Sequence, residues 1–338
     1  MRLRDASNME VSRNHSRAFT LNIEGKIAET PSFVPAISSC CSVVPIKSCF
    51  RLLTALNHPR LLVSAYDIEN AQNQLTKNSL LKQISSRTAK QTLTVLDSGT
   101  YEAQCLCDDS WSLGKLERVL RAISIDVCFS FDVYLEKGVA PATHFRRTVS
   151  AIARTAGSQR RGLTVPVLHS SPSGFPSFTR KVLEAMNPQM LGIPEKELGL
   201  GILERARVLL AIRRSLDGTG RDVPIHLLGT SNPISILTYT LFGADLFDGL
   251  DWSRSVVDPK SGQVQNFAHL DLLDCECAAC RNTELTYVDR LMAHNLMFYE
   301  VFMAKARAAI TEDRGLELLK EYIGEPNAHK VGELLSSK

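Results

Sequence analysis

The cysteines of this chain are concentrated near its carboxyl end. Cys275, Cys277 and Cys280 form a CxCxxC pattern, and His294 follows them in a stretch with helical character. Three thiolates and one imidazole complete a tetrahedral zinc site in which protein groups fill every position, so the ion would be structural. His269 is an alternative fourth ligand, and three buried free thiols are the alternative to a metal site. A redox CxxC is disfavoured because no βα start surrounds the cysteines.

Acidic residues and one histidine follow several short apolar segments. Asp67, Asp97 and Asp132 come after three of these segments, His169 ends a fourth, and Asp248 ends the last. Carboxylates of this kind act as nucleophiles or as general acids and bases. A single Asp after a strand is equally well explained as a helix cap. The recurrence of such residues at strand ends favours one shared site.

These residues require a scaffold that brings the ends of many strands together. Short apolar, β-rich segments recur along the chain, and helical segments such as 116–123 and 203–214 lie between them. The alternation predicts a parallel α/β sheet, and eight strands predict a closed (β/α)8 TIM barrel, whose active site lies at the carboxyl ends of the strands. The candidate strands are 32–37, 61–65, 92–96, 125–131, 164–168, 190–193, 225–228 and 244–247.

Length and composition set the domain organisation. A chain of 338 residues suits one large barrel with an appendage. We place the barrel catalytic domain at 1–270 and a zinc-binding helical subdomain, packed on the barrel, at 271–338, with a helix over 287–309. A hydrophobic content of 44% and a charged content of 22% predict a packed core. The net charge of +3 permits an anionic partner without requiring one.

The sequence predicts a cytoplasmic protein. It contains no apolar run long enough to span a membrane, so no membrane partner is expected. The N-terminal segment MRLRDASNMEVSRNH lacks the apolar core of a secretory signal. Nine cysteines, an odd number with three crowded together, argue against a disulfide framework.

Six segments resemble, in order, motifs of the tRNA-guanine transglycosylase superfamily, the queuine and archaeosine tRNA-ribosyltransferases. The resemblance covers nearly the whole chain. It implies a pentosyltransferase that replaces guanine in a nucleic acid by a 7-deazaguanine base, through a covalent Asp–ribosyl intermediate, with structural Zn²⁺ and His294 as the fourth ligand. The segments are TPSFVPA, LDSGTYEA, FSFD, GIPEKELG, HLLGTSNPISIL with GADLFDGLDWSR, and CECAAC with HNLMFY.

The resemblance also implies roles for single residues. Asp248 matches the nucleophile, with Asp251 as a local rival, and Asp97 matches the general acid and base. Asp132 would accept hydrogen bonds from the purine edge, and Tyr101 would stack on the base unless it is a core tyrosine. The other base-binding positions are His169, the backbone of Gly192, Ile193 and Pro194, the side chain of Glu197, and Gly229.

Departures from the family pattern bear on the base that is accepted. Bacterial members commonly carry an acid and a Cys where this chain has Val133 and Tyr134, and a Gln where it has His169. A pocket without the extra acid favours a neutral nitrile, as in preQ0, over an aminomethyl cation that needs a carboxylate partner. Glu197 is an alternative source of that charge.

Other departures bear on the polymer. The segment GLDWSR keeps only Arg254 of the family's PTR segment, and the chain ends soon after the cysteine cluster. These features resemble the DNA-modifying 7-deazaguanine transglycosylase branch, so we predict DNA, with exchange in tRNA as the alternative. Trp252 would stack on an extruded base. The arginines that would contact phosphates, or form a solvated helix face, are Arg146, Arg147, Arg154, Arg160 and Arg161.

Two other functions fit the same barrel. One is a non-catalytic partner subunit of such an enzyme, which has no need of Asp97, Asp132 and Asp248 together. The other is a hydrolase in which water completes the reaction. A homodimer and helper proteins are further expectations from the resemblance.

Overall fold

The computed structural model describes residues 10–11, 15–40, 43–71, 74–89 and 92–337. Most of the N-terminal segment that was analysed for a secretory signal therefore lies outside the described residues. Cys49, Cys105, Cys107 and Cys128 are free thiols in the structure. Within the described chain, no helix combines the length and the apolar character needed to cross a bilayer.

The central element is a barrel of eight parallel strands. Each strand pairs in parallel with its neighbours, and a single bridge between Val167 and Gly192 closes the sheet. This confirms the predicted (β/α)8 TIM barrel, and each predicted strand overlaps an observed one. After β1 (Glu10–Val11), β2 (Arg17–Ile23) and β3 (Lys26–Thr30), the barrel strands are β4 (Ser32–Ile37), β5 (Arg60–Ser64), β6 (Leu93–Asp97), β7 (Val127–Phe129), β8 (Leu163–Val165), β9 (Leu191–Pro194), β10 (Ile225–Leu228) and β11 (Leu246–Gly249).

Helices follow the strands and cover the outside of the barrel. Their core-facing residues and the outward side chains of the strands form one large apolar layer, as expected for strands buried on both faces. The helices are α1 (Ile46–Ala55), α2 (Ala65–Glu69), α3 (Gln74–Ala89), α4 (Thr100–Cys105), α5 (Leu113–Ala122), α6 (Pro141–Ser158), α7 (Phe175–Met186), α8 (Ile202–Asp217), α9 (Pro233–Leu241), α10 (Asp251–Arg254), α11 (Ala278–Arg281), α12 (Tyr287–Thr311), α13 (Gly315–Ile323) and α14 (Glu325–Ser336).

The segment after the last barrel strand packs back onto the barrel. A short hairpin, β12 (Ser255–Val257) and β13 (Val264–Asn266), leads into the cysteine cluster. The long helix α12 contacts α1, α9 and β4, while α13 lies on α9 and α14 on α8. The predicted boundary at residue 270 stays a prediction, and much of the segment 271–338 completes the helical layer around the sheet.

A β-hairpin that the sequence analysis did not predict closes the amino-terminal end of the barrel. Strands β2 and β3 pair in antiparallel fashion, and their apolar residues Phe19, Leu21 and Ile23 join the apolar interior of the barrel. The Lys26 ammonium is buried beneath the sheet, where it lies 2.6 Å from Asp126 Oδ2 and donates to two backbone carbonyls. A buried charge is stable only when it is paired in this way.

The buried pair of Lys26 and Asp126 at this hairpin provides a test of the fold. Replacing Lys26→Met leaves the fully buried Asp126 carboxylate without its cation, and we expect the free energy of unfolding to fall by about 3–5 kcal/mol. Urea unfolding followed by circular dichroism measures the change. Lys82→Met, on the exposed face of α3, is the matched control and should stay within about 0.5 kcal/mol of the parent. Equal effects of the two substitutions would contradict the role of the buried pair.

Candidate active site

A cavity of about 240 Å³ opens at the carboxyl ends of the barrel strands. The structure brings Asp97, Asp132 and Asp248, which are far apart in the chain, into the wall of this one cavity. Other predicted site residues that line it are Tyr101, His169, Pro194 and Gly229.

Three predicted base-binding residues are not part of the cavity wall. The backbone N–H of Gly192 donates to Pro166 and its carbonyl accepts from Leu168, so these groups serve strand closure instead of a ligand. Ile193 is completely buried in the apolar layer outside the sheet. The prediction that backbone groups of this whole stretch line the site is therefore corrected to Pro194. Glu197 contributes indirectly, through His169.

Asp248 lies within β11, the strand that it was predicted to end, and is only 7% exposed. His226 Nε2 is 3.0 Å from Asp248 Oδ1, and the Gly229 N–H donates to the same oxygen at 3.3 Å. Gly229 has φ of +76°, and a Cβ there would meet no atom within 4 Å, so glycine is required by the backbone conformation alone. The rival Asp251 is held by Ser231 and Arg254 outside the cavity wall.

Asp97 is the last residue of β6 and faces an unfavourable environment for a negative charge. Burial, followed by the neighbouring carboxylates Glu102 and Asp132, raises its pKa well above the ordinary value. The N–H of Gly99 donates to Asp97 Oδ2 at 3.1 Å. Gly99 has φ of +85°, and a Cβ there would lie 2.5 Å from the Tyr66 nitrogen, so no other residue fits this turn. A carboxyl that holds its proton more tightly than usual is suited to act as a general acid.

His169 lies between two carboxylates. Its Nε2 is 2.7 Å from Asp132 Oδ1, and its Nδ1 is 2.6 Å from Glu197 Oε1. Because carboxylates only accept hydrogen bonds, both ring nitrogens carry protons and the ring is cationic. Burial opposes this charge, but the two carboxylates outweigh it and raise the pKa of His169 to about 9. Burial likewise opposes ionisation of Asp132, yet His169 and Ser98 lower its pKa below the ordinary value.

Of the two aromatic residues predicted to stack on a base, Tyr101 lines the cavity and Trp252 does not. Tyr101 is 40% exposed at the rim of the cavity, which leaves its ring accessible. The Tyr134 ring lies 4.3 Å from the His169 ring, centroid to centroid. Trp252 is completely buried, and its indole N–H donates to the Ala36 carbonyl at 2.8 Å. The prediction that Trp252 stacks on an extruded base is therefore wrong.

Two buried ionisable residues, Glu102 and His226, lie next to the predicted ones and were not predicted from the sequence. Glu102, on α4, accepts hydrogen bonds from the hydroxyls of Ser38 and Ser64, and burial together with Asp67 raises its pKa to about 7. His226 contacts Asp248 from the neighbouring strand. The only sequence signal for His226 was a polar residue at an inward position of an apolar strand. Asp67 binds the backbone N–H of Ser39 and does not line the cavity.

The predicted metal ligands come together beside α12. Cys275, Cys277 and Cys280 place their sulfur atoms 3.4, 3.6 and 3.3 Å from His294 Nδ1. A tetrahedral ion with ordinary zinc–sulfur and zinc–nitrogen distances separates these atoms by about 3.6 Å, so the cluster fits a metal ion. The other ring nitrogen, Nε2, lies 2.8 Å from the Val257 carbonyl, which fixes Nδ1 as the metal-binding atom. His269, the alternative ligand, is not part of the cluster.

The predicted arginine group lies on and just after α6. Arg154 pairs with Glu117 at 2.8 Å, and Arg147 pairs with Glu136 at 3.4 Å, both with half-exposed guanidinium groups. None of the five arginines is part of the cavity wall in the described chain. The arrangement favours the interpretation as a solvated helix face.

Comparisons with known proteins agree with the motif analysis. The chain is 23% identical to a queuine tRNA-ribosyltransferase of Helicobacter pylori over 95% of its own length and 98% of that relative. It is 20% identical to a tRNA-guanine(15) transglycosylase of Haloferax volcanii over 88% of its length, which spans 60% of that longer protein. About a third of the chain, 30%, is 32% identical to the queuine tRNA-ribosyltransferase of Aquifex aeolicus and covers 32% of it. No protein-family model matches the chain.

These similarities confirm the superfamily that the motifs indicated, and with it the enzyme class of transglycosylases that transfer a pentosyl group. Two of the matches extend along most of the chain, so the similarity is not confined to the barrel or to the cysteine cluster.

The ionic cluster around His169 predicts a pH dependence of stability. The pKa of His169 rises from 6.5 to about 9 on folding. The contribution of its charge to stability is therefore complete below pH 6.5 and is lost as the pH rises through 9. Compared with His169→Gln, the parent should lose on the order of 3 kcal/mol of unfolding free energy across this interval. Urea unfolding at several pH values measures the difference. For His329→Gln, at an exposed histidine, the unfolding free energy should depend on pH as it does in the parent protein. The same pH dependence for His169→Gln and the parent would contradict the stabilising role of the ion pairs around His169.

Proposed function

We propose that this chain replaces guanine in a nucleic acid by a 7-deazaguanine base through a covalent intermediate on Asp248. The observation that carries this proposal is the convergence of Asp97, Asp132 and Asp248 on one cavity, each in a different electrostatic environment. A nucleophile must be ionised, a general acid must hold a proton, and a carboxylate that binds a purine edge must accept hydrogen bonds. The raised pKa of Asp97 and the lowered pKa of Asp132 match the last two requirements, and two N–H donors hold the Asp248 carboxylate in place.

The proposed reaction proceeds in two displacements. Asp248 attacks the sugar carbon C1′, the bond from C1′ to guanine N9 breaks, and an ester forms between Asp248 and the sugar. Asp97 gives its proton to the departing guanine. The incoming base then attacks C1′, its proton passes to Asp97, and Asp248 leaves as a carboxylate. Both groups return to their starting state, so no further reactant is needed.

Recognition of the base is assigned to the pair of Asp132 and His169. Asp132 accepts hydrogen bonds from His169 on Oδ1, from Ser98 on Oδ2 and from the Thr100 hydroxyl. A carboxylate offers about four lone-pair sites, so acceptor capacity remains for an N–H group on the pyrimidine edge of guanine. His169 thereby fixes the orientation of the recognising carboxylate, and Tyr101 at the rim is placed to stack on the base.

The charge balance favours a neutral group at position 7 of the incoming base. Glu197 was the alternative source of a carboxylate for an aminomethyl cation, but its Oε1 is already paired with the His169 cation. A nitrile, as in 7-cyano-7-deazaguanine (preQ0), needs no counter-charge. We therefore propose preQ0 as the acceptor base.

Two polymers are candidates, and a specific observation favours each. The relatives that match most of the chain are named as tRNA enzymes, which favours tRNA. The segment that follows the nucleophile, GLDWSR, differs from the family's PTR segment, and of it only Leu250 and Arg254 line the cavity besides Gly249. Our proposal is DNA, and tRNA is the alternative.

Labelled preQ0 incubated with duplex DNA or with tRNA decides between them. We expect label in DNA, and label in tRNA alone would contradict the DNA assignment while leaving base exchange intact. Release of guanine without any added base would instead indicate a hydrolase, and no release under any condition would indicate a non-catalytic subunit.

The nucleophile has a direct test. Asp248→Asn keeps the shape of the side chain but cannot form the ester, so we expect exchange to fall by at least about 10³-fold and the covalent adduct on a denaturing gel to disappear. Asp251→Asn, at the rival position outside the cavity wall, is the matched control and should change the rate less than tenfold. The reverse pattern would make Asp251 the nucleophile.

We further propose that the ion of the Cys₃His cluster is Zn²⁺ and that it is structural. Its three thiolates and one imidazole are the donors that zinc prefers, and they leave no open position for substrate. A homodimer and helper proteins stay predictions from the resemblance, and sedimentation of the purified protein tests the first.

The zinc proposal predicts a large effect on stability. Cys277→Ala removes one ligand, and we expect one equivalent of zinc to be lost and the melting temperature to fall by about 10 °C or more. Elemental analysis and thermal unfolding measure the two effects. Cys105→Ala, at an exposed free thiol, is the control and should change neither. A normal melting temperature for Cys277→Ala would contradict the structural assignment.

A further inference from the structure

The interior of the barrel contains an imidazole for which the proposed reaction has no role. His226 is the second residue of β10, is only 1% exposed, and meets the Phe129 ring edge-on with centroids 5.0 Å apart. Its neighbours Ile225 and Leu227 belong to the apolar layer outside the sheet, so His226 faces inward. Burying a polar ring in such a place is costly unless the ring has a hydrogen-bond partner.

The partner is the candidate nucleophile. His226 Nε2 lies 3.0 Å from Asp248 Oδ1. An ionised carboxylate only accepts hydrogen bonds, so the ring must carry its proton on Nε2 to make this contact. The N–H of Gly229 donates to the same oxygen at 3.3 Å. Both donors therefore engage Oδ1, and the remaining oxygen, Oδ2, is the one that is left to attack.

We propose that His226 is a positioning residue for the nucleophile. Through its Nε2–H it holds Oδ1 of Asp248, so that the carboxylate presents Oδ2 to the sugar carbon C1′. The imidazole keeps its proton throughout and touches neither base nor sugar. This inference rests on the proposed function, because it assigns a role within the same reaction.

The pairing of β10 with β11 explains why a side chain is needed to hold the Asp248 carboxylate. Strands β10 and β11 are paired with His226 opposite Leu246 and Leu227 opposite Phe247, which brings Asp248 beside the end of β10. The Gly229 contact is long for a hydrogen bond between N–H and oxygen. The imidazole therefore supplies the shorter of the two contacts that fix the carboxylate rotamer. A misplacement of a reacting group by about 1 Å can slow a reaction by about 10²-fold.

Two substitutions separate the hydrogen bond from the packing. His226→Leu fills the apolar site without a donor, whereas the amide nitrogen of His226→Gln can take the place of Nε2. We expect His226→Leu to lower kcat by about 10²-fold with an unchanged KM for the base, and His226→Gln to recover activity to within about fivefold of the parent. Thermal unfolding and the dissociation constant of guanine show that the fold and the cavity are intact.

A second measurement does not depend on activity. In protein labelled with ¹⁵N-histidine, the ring-nitrogen shifts should identify the Nε2–H form of His226, and Asp248→Asn should change these shifts. A proton on Nδ1 instead, or equal kcat values for the parent and His226→Leu, would overturn the positioning role. Absence of base exchange in the parent protein contradicts the proposed function, and the NMR result then still decides whether His226 holds Asp248.

Discussion

Negative charges on the three carboxylates that line this cavity repel each other, and the residues around each carboxylate reduce that repulsion. The barrel forces the arrangement, because closing the sheet brings the ends of β6 and β11 and the residues after β7 to the same opening. Each carboxylate meets the repulsion differently. Burial and its neighbours raise the pKa of Asp97, His169 pairs with Asp132, and two N–H donors hold Asp248. The chemical differences among identical side chains thus arise from their neighbours.

Much of this organisation could be read from the sequence, and the parts that could not have a common cause. The strands were visible as apolar segments, and the cysteine spacing specified a metal cluster, because both are local patterns. His226 escaped notice because its importance depends on the register that pairs β10 with β11, which no local pattern encodes. Trp252 was misplaced for the same reason, since its burial depends on the carbonyl of Ala36, far away in the chain. The β2–β3 hairpin, by contrast, alternates buried and exposed residues around Glu24–Gly25 and could have been predicted.

Helix α12 links the metal cluster to the segment that follows the nucleophile. His294 belongs to the cluster, and the next residue, Asn295, donates to the carbonyls of Trp252 and Ser255 and accepts from the N–H of Val257. One turn further on, the Tyr299 hydroxyl donates to the Ser231 carbonyl at 2.6 Å, and Ser231 lines the cavity. A cluster without contact to the cavity therefore fixes the backbone on two of its sides. An ion bound by the cluster would therefore stabilise the cavity wall without contacting the substrate.

The barrel has a seam between β8 and β9, where one bridge joins Val167 to Gly192. His169 follows β8 and Glu197 follows β9, so their hydrogen bond joins the two sides of the seam in addition to the backbone bridge. The pair proposed to orient the base-binding carboxylate therefore also connects the segments that follow β8 and β9. A substitution of His169 or Glu197 that changes the accepted base also removes a side-chain contact between the segments that follow β8 and β9. Evolution of base specificity in this cavity is therefore linked to the stability of the barrel wall.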